Sequence, residues 1–156
     1  MTVRRAVAAD AEAIAAIWYP GWRDGHLGHV PDALVAVRTE ESFGIRAAQR
    51  IADTTVAVVG HEVAGFVMVV GDEVEQVYVG SAQRGSGVAG ELLAEAERQV
   101  LENGYDEAWL AVATGNARAR RFYERNGWRD GGPFDYPASI GDGTLPVPCH
   151  RYVKPV

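Results

Sequence analysis

The sequence predicts an α+β (mixed α/β) fold, a mixed sheet with helices on its faces. Three observations predict it. The chain has 156 residues, which suits one domain spanning 1–156 with a single hydrophobic centre. Its middle third is a run of valine-rich segments with period-two patterning and short breaks. After that run, two helical patterns flank one further apolar strand.

The elements follow in order. Thr2–Ala6 reads as a short strand, and Asp10 as the N-cap of a helix whose buried stripe is Ile14, Ile17 and Trp18. Residues 20–38 are rich in Gly, His and Pro and read as loop with at most short helical turns. Thr39 caps a second helix, in which Phe43, Ala47 and Ile51 recur every four residues. Thr54–Val59, Val63–Val70 and Val74–Val79 read as three antiparallel strands joined by tight turns. From Gly87 the period is helical again, with Val88, Leu92, Leu93, Ala96 and Val100 on one face and Asn103-Gly104 as the stop. Glu107–Ala113 is a strand, and residues 116–126 a helix ended by Gly127. The tail reads as short strands near 128–130 and 150–154 around a Gly/Pro-rich loop. The one parallel crossover falls between Val74 and Ala113.

Composition narrows the function. Hydrophobic residues make up 47% and charged residues 23%, which excludes a disordered chain. With 15 basic and 21 acidic side chains the net charge is −6, which argues against nucleic acid as a partner and favours a cationic small molecule. Cys149 is the only cysteine, so no intrachain disulfide and no cysteine-based zinc cluster can form, and no metal is expected. Residues 1–22 carry Asp10 and Glu12 and lack a signal peptide's apolar block, and the most apolar stretch, Val63–Val70, falls far short of the ~20 residues a membrane helix needs. A cytoplasmic protein without a membrane segment is the expectation.

The informative stretch is Gln83-Arg84-Gly85-Ser86-Gly87-Val88-Ala89-Gly90, which follows a strand and opens an amphipathic helix. A helix N-terminus offers unpaired amides and partial positive charge, and glycines let an anion approach the backbone. Without a second signal, a ligand-free glycine turn is the commoner meaning of a bare Gly-x-Gly. Gly85, Gly87 and Gly90 satisfy the dinucleotide pattern G-x-G-x-x-G literally, but the context fails. Five residues separate the strand from Gly85, and the acidic Asp106 and Glu107 begin the next strand rather than end it.

The stretch is similar to the acetyl-CoA motif of the GCN5-related N-acetyltransferases, Gln/Arg-x-x-Gly-x-Gly/Ala, with Arg84, Gly87 and Ala89 at its defined positions. Residues 116–128 resemble the same family's N-x-x-A-x-x-F-Y-E-x-x-G-F helix, with Trp128 in place of Phe. Glu73 through Val79 resembles its E-I-x-x-L-Y-V strand. The resemblance keeps its order along nearly the whole chain and weakens in residues 20–50 and 130–148.

It implies a central mixed, mostly antiparallel sheet flanked by helices, and an enzyme moving an acetyl group from acetyl-CoA to a primary amine of a small molecule or peptide. The pantetheine arm would lie along Val77, Tyr78 and Val79, where the strand splays from its parallel neighbour, and a backbone N–H near Val79 would polarise the thioester. The pyrophosphate would sit on the amides of Arg84, Gly85, Ser86, Gly87, Val88 and Ala89. Asn116 would cap its helix, contact pantetheine, or both. Tyr123 would be the general acid, since a phenol of pKa ~10 stays protonated at neutral pH; it can equally be a packing residue, with Phe122 buried beside it. Glu73 or Glu75 would be the base, or solvated turn charge. His26 and His29 stand as acceptor contacts, as an alternative base, or as bystanders. Cys149 reads as structural, and Asp135, Tyr136 and residues 140–148 as a possible acceptor wall. A homodimer is compatible with the family. The alternative is a non-catalytic acyl-CoA-binding or regulatory module.

Overall fold

The computed structural model describes residues 1–156. Seven strands form one sheet in the order β1-β2-β3-β4-β5-β7-β6. The strands are β1 (Thr2–Arg5), β2 (Thr54–Val59), β3 (Glu62–Val70), β4 (Glu73–Val79), β5 (Glu107–Ala113), β6 (Arg129–Ser139) and β7 (Thr144–Pro155). The helices are α1 (Ala11–His26), α2 (Asp32–Val37), α3 (Glu40–Gln49), α4 (Val88–Glu102) and α5 (Ala117–Arg125). Every strand pair is antiparallel except β4–β5, the expected crossover. The mixed sheet with helices on both faces is the fold class the sequence predicts.

Alternation along β2 and β3 divides two cores. Ala57 and Val67 face α4, where Leu92, Leu93, Ala96 and Val100 are buried, whereas Val56, Phe66 and Met68 face α1 and α3. Thr39 caps α3 as expected, its Oγ1 accepting Ser42 N–H at 3.1 Å. Asp10 does not cap α1 through its side chain. Its carboxylate accepts Val7 N–H at 2.8 Å and grips Arg4 through two bonds of 2.8 and 3.1 Å, closing the 3₁₀ turn before the helix.

Two stretches read as loop are regular. α1 runs on through Pro20 to His26, because Trp18 and Trp22 extend the buried stripe begun at Ile14. That burial outweighs the ~3 kcal/mol a mid-helix proline costs. The glycines there are close-approach positions rather than breaks: a Cβ on Gly21 would come within 2.6 Å of the Tyr78 ring.

The tail is a long hairpin, not two short strands around a loop. Pro137 lies opposite Pro146, and Pro148 opposite Asp135 two residues along. A proline pair cannot exchange ladder bonds, so these prolines occupy the non-hydrogen-bonded alternation, where a missing N–H leaves the ladder intact. Thr114 N–H takes Pro148 O from the far side at 3.0 Å.

Candidate active site

β4 and β5 start as neighbours and separate at once. Glu73 opposite Trp109 is their only paired position, with Trp109 N–H bonded to Asp72 O at 3.0 Å. Between them opens a cleft of about 1700 Å³. A bulge in β4 shapes its wall: Val74 lies opposite Val69 and Gln76 opposite Met68, which leaves Glu75 as the extra residue. The bulge flips the alternation, so Val74 and Val77, three apart, both face the α4 core, while Tyr78 packs with Phe66 on the other face.

Past the bulge the strand edge is open. Gly80 N–H bonds Ala64 O at 2.8 Å, and Val79 lies opposite Gly65. Antiparallel pairing alternates, so Val79 and Val77 turn their N–H and C=O groups away from β3 and into the cleft.

The glycine turn borders the same cleft. Gly85 and Gly87 take φ of +79° and +88°, the left-handed region where a side chain is strained. The first backbone bond into α4 is Glu91 N–H to Gly87 O, at 3.1 Å. The amides of Gly85, Gly87, Val88, Ala89 and Gly90 therefore have no backbone acceptor. Arg84 N–H and Ser86 N–H are already bonded, to Ser81 O and Gln83 O, and the Ser86 hydroxyl turns back onto Gln83 O. Ser86 and Val88 thus do not line the cleft; Val88 is buried at 3% exposure, and its one unpaired group is the amide.

The cleft brings together Val77, Tyr78, Val79, Arg84, Gly85, Gly87, Ala89, Asn116 and Tyr123, with Glu73 and Glu75 at its other end. Asn116 caps α5, its Oδ1 accepting Ala119 N–H at 3.2 Å. Phe122 and Tyr123 both line the cleft; the expectation that Phe122 alone is buried does not hold, since both rings are half-buried. Burial pushes the Tyr123 phenol above its ordinary range, so it stays protonated. Tyr78 is also raised, first by burial and then by the nearby Tyr123. Two protonated phenols thus flank the opening.

The two glutamates differ in surroundings. Glu75 is paired with Arg50 at 2.9 Å. Glu73 accepts the Tyr136 hydroxyl at 2.9 Å, and burial raises its carboxyl above the ordinary range even though that bond works in the opposite direction. Tyr136, which the sequence offers for the acceptor wall, does line the cleft, but its bond to Glu73 had no local signal because it sits in the hairpin read as loop.

His26 ends α1, stacked on Trp22 at 4.7 Å and bonded through Nδ1 to Trp22 O at 2.7 Å. Burial lowers its pKa to about 4, so the ring is neutral at pH 7 and the Nδ1–H tautomer donates to the carbonyl. His29 packs against Gly115, where a Cβ would collide with its ring, and Gly25 packs against the Asn116 amide. Asp24 pairs with Arg84 at 2.9 Å. The end of α1 therefore straps across the mouth of the cleft. Cys149 lies in the lining, its thiol pushed up to about 11 by burial, which makes it a poor nucleophile.

No group of three or more His, Cys, Asp or Glu is assembled to hold a metal ion. No helix is long and apolar enough to cross a membrane.

No curated protein matches the sequence significantly. Among solved structures, the chain is similar to PaiA N-acetyltransferase from Thermoplasma acidophilum in complex with coenzyme A, at TM-score 0.76 and 17% identity, covering 99% of this chain and 98% of that one. It is also similar to a ribosomal-protein-alanine N-acetyltransferase from Brucella melitensis, at TM-score 0.72 and 22% identity over the full length of both. YncA from Salmonella typhimurium, solved with acetyl-CoA, superposes at TM-score 0.69 and 20% identity, covering 99% of this chain and 93% of that one. At these identities the likeness establishes the fold. The model of the acetyltransferase (GNAT) family matches residues 13–128, taking in β4, the glycine turn and the whole of α5. The chain belongs to the acetyltransferase (GNAT) family.

Proposed function

We propose that the protein transfers an acetyl group from acetyl-CoA to a primary amine by direct attack of the amine. The observation that carries this reading is the junction of open amides and open strand edge in one cleft. Unbonded N–H groups at Gly85, Gly87, Val88, Ala89 and Gly90 suit a diphosphate, with the helix dipole of α4 adding to their charge. The edge groups of Val77 and Val79 suit an extended amide-bearing arm, bonded as an added strand would be. Acetyl-CoA supplies the activated acyl group and a thiolate leaving group.

The chain's own residues do the rest. Val79 N–H, aimed into the cleft, stabilises negative charge on the acyl oxygen. Glu73, with a raised carboxyl pKa, accepts the proton an amine must lose before attack, directly or through water. Glu75 is the weaker candidate base, because its carboxylate is committed to Arg50. Tyr123, kept protonated by burial, donates to the departing sulfur.

Replacing Tyr123 with Phe should lower kcat by roughly 10²-fold while calorimetry shows CoA affinity within a factor of about three. Unchanged kcat would remove Tyr123 from the acid role and leave Tyr78 as the phenol to test. Saturating CoA binding with no turnover on polyamines, amino acids, aminoglycosides or peptide N-termini would replace the enzyme reading with an acyl-CoA-binding module.

A further inference from the structure

In the lining of the cleft, two arginines are left without an ion pair or a side-chain hydrogen bond. Arg46 projects from α3 and lies over the Trp18 ring at 4.4 Å and the Phe43 ring at 5.2 Å, so its guanidinium is seated on aromatic rings. Its Nη1 has no solvent access and no hydrogen-bond partner, and no other nitrogen of that guanidinium is bonded to protein. Arg38, at the end of α2, is half-buried in the same lining and has neither an ion pair nor a side-chain hydrogen bond. Arg50 differs: it holds Asp53 at 3.1 Å and Glu75 at 2.9 Å.

Burying a cation without a counterion is costly, and crowding it with like charge more so. Arg46 shows both effects, its pKa lowered to about 10 first by burial and then by Arg38 and Arg50. The nearest carboxylate in charge range, Glu75, is already taken by Arg50. Neither Arg46 nor Arg38 is paired by the carboxylates of this part of the lining, Glu73 and Glu75. What remains there without an ion pair is the Arg38 guanidinium, the Nε and Nη2 of Arg46, and Glu73, one of whose oxygens takes the Tyr136 hydroxyl.

We propose that the acceptor is a free amino acid, its carboxylate held by Arg46 and Arg38 and its amine directed to Glu73. The proposal rests on the acetyl-transfer reading above and names the substrate class of that same site. Guanidinium forks match carboxylate geometry through paired N–H···O bonds; with Nη1 closed off, Arg46 offers its Nε–Nη2 edge, held in place by its aromatic bed. The donor diphosphate has its own cradle in the open amides of the glycine turn, whereas Arg46 stands in charge range of Arg38, Arg50 and Glu75, beside β4. Electrons and protons balance simply: a C–N bond forms as the C–S bond breaks, the amine proton goes to Glu73, and the thiolate is protonated by Tyr123.

The test sets free amino acids against their amides and their decarboxylated amines, for example lysine, lysinamide and cadaverine, and tryptophan, tryptophanamide and tryptamine. With wild-type protein, kcat/KM for the better-used acid should exceed that of its amide and its amine at least tenfold. Arg38→Gln should raise the KM for the acid tenfold or more and leave that of the amide within twofold. Arg46→Gln should do the same; because Arg46 also packs on Trp18, the half-exposed Arg38 carries the test if the Arg46 variant fails to fold. Equal or better use of the amides and amines, or equal loss of all three classes in Arg38→Gln, overturns the carboxylate site while acetyl transfer stands.

A second readout needs no turnover. In CoA-saturated protein, N-acetyl-lysine and N-acetyl-tryptophan should raise the melting temperature, N-acetylcadaverine and N-acetyltryptamine should not, and Arg38→Gln should abolish the difference. Carboxylate-dependent protection without transfer to any amine would overturn the reaction and keep the anion site. Protection that ignores the carboxylate overturns the site.

Discussion

At the scale of single residues, burial rather than sequence neighbourhood sets the chemistry. His26 is held neutral because its ring is stacked on Trp22 and mostly buried, which lowers its pKa to about 4. An unfolded histidine titrates near 6.5, so between these values the unfolded chain binds the extra proton. The stability His26 contributes is therefore complete above about pH 6.5 and lost as pH falls through about 4. The loss is up to roughly 3 kcal/mol. His26→Gln should flatten this part of the pH–melting-temperature curve; an unchanged slope would assign the effect to other groups. Glu73 lies at the opposite extreme, raised by burial and restrained by the Tyr136 hydroxyl. Tyr136→Phe removes the restraint and should move the acidic limb of the kcat/KM profile to higher pH. A shift to lower pH, or none, would show that Glu73 does not govern that limb.

Among the elements, the end of α1 and the start of α4 face one another across the cleft mouth. Asp24 holds Arg84 at 2.9 Å with both side chains largely exposed, an arrangement worth at most about 1 kcal/mol. The same carboxylate opposes any anion brought to the α4 amides. Asp24→Asn should strengthen CoA binding by up to about fivefold, with the gain shrinking at high salt, as calorimetry at two ionic strengths would reveal. The turn itself depends on backbone conformation. Gly87 has φ of +88° and open space where a Cβ would stand, so Gly87→Ala is opposed by strain and not by a clash. A destabilisation of about 1–2 kcal/mol is expected, together with weaker CoA binding as the amides shift.

For the molecule as a whole, the sheet separates two cores that share strands but not side chains: Leu92 is fully buried on the α4 face and Phe43 on the α1–α3 face. Leu92→Ala should cost about 2–5 kcal/mol and Phe43→Ala about 3–5 kcal/mol in denaturant unfolding. The double variant, if it still folds, should sum to within about 0.5 kcal/mol, since neither residue packs in the other's core. A larger coupling would mean that the sheet transmits strain between its faces. The sequence by itself determined much of this architecture: period two in the valine strands, period 3.6 in α3 and α4, the cap at Thr39, and the turn from Arg84 to Gly90, all local signals carried by neighbouring residues. It misread α1 beyond Pro20 and the β6–β7 hairpin because Gly and Pro are local breakers. Their tolerance here comes from distant partners: Trp22 in a core, Tyr78 against Gly21, and a ladder alternation that spares proline. Only the tertiary structure decided which charges stand free. Arg50 is neutralised by residues from elsewhere in the fold, Arg46 and Arg38 are not, and Coulomb energy and desolvation depend on distances in space that no spacing along the chain records.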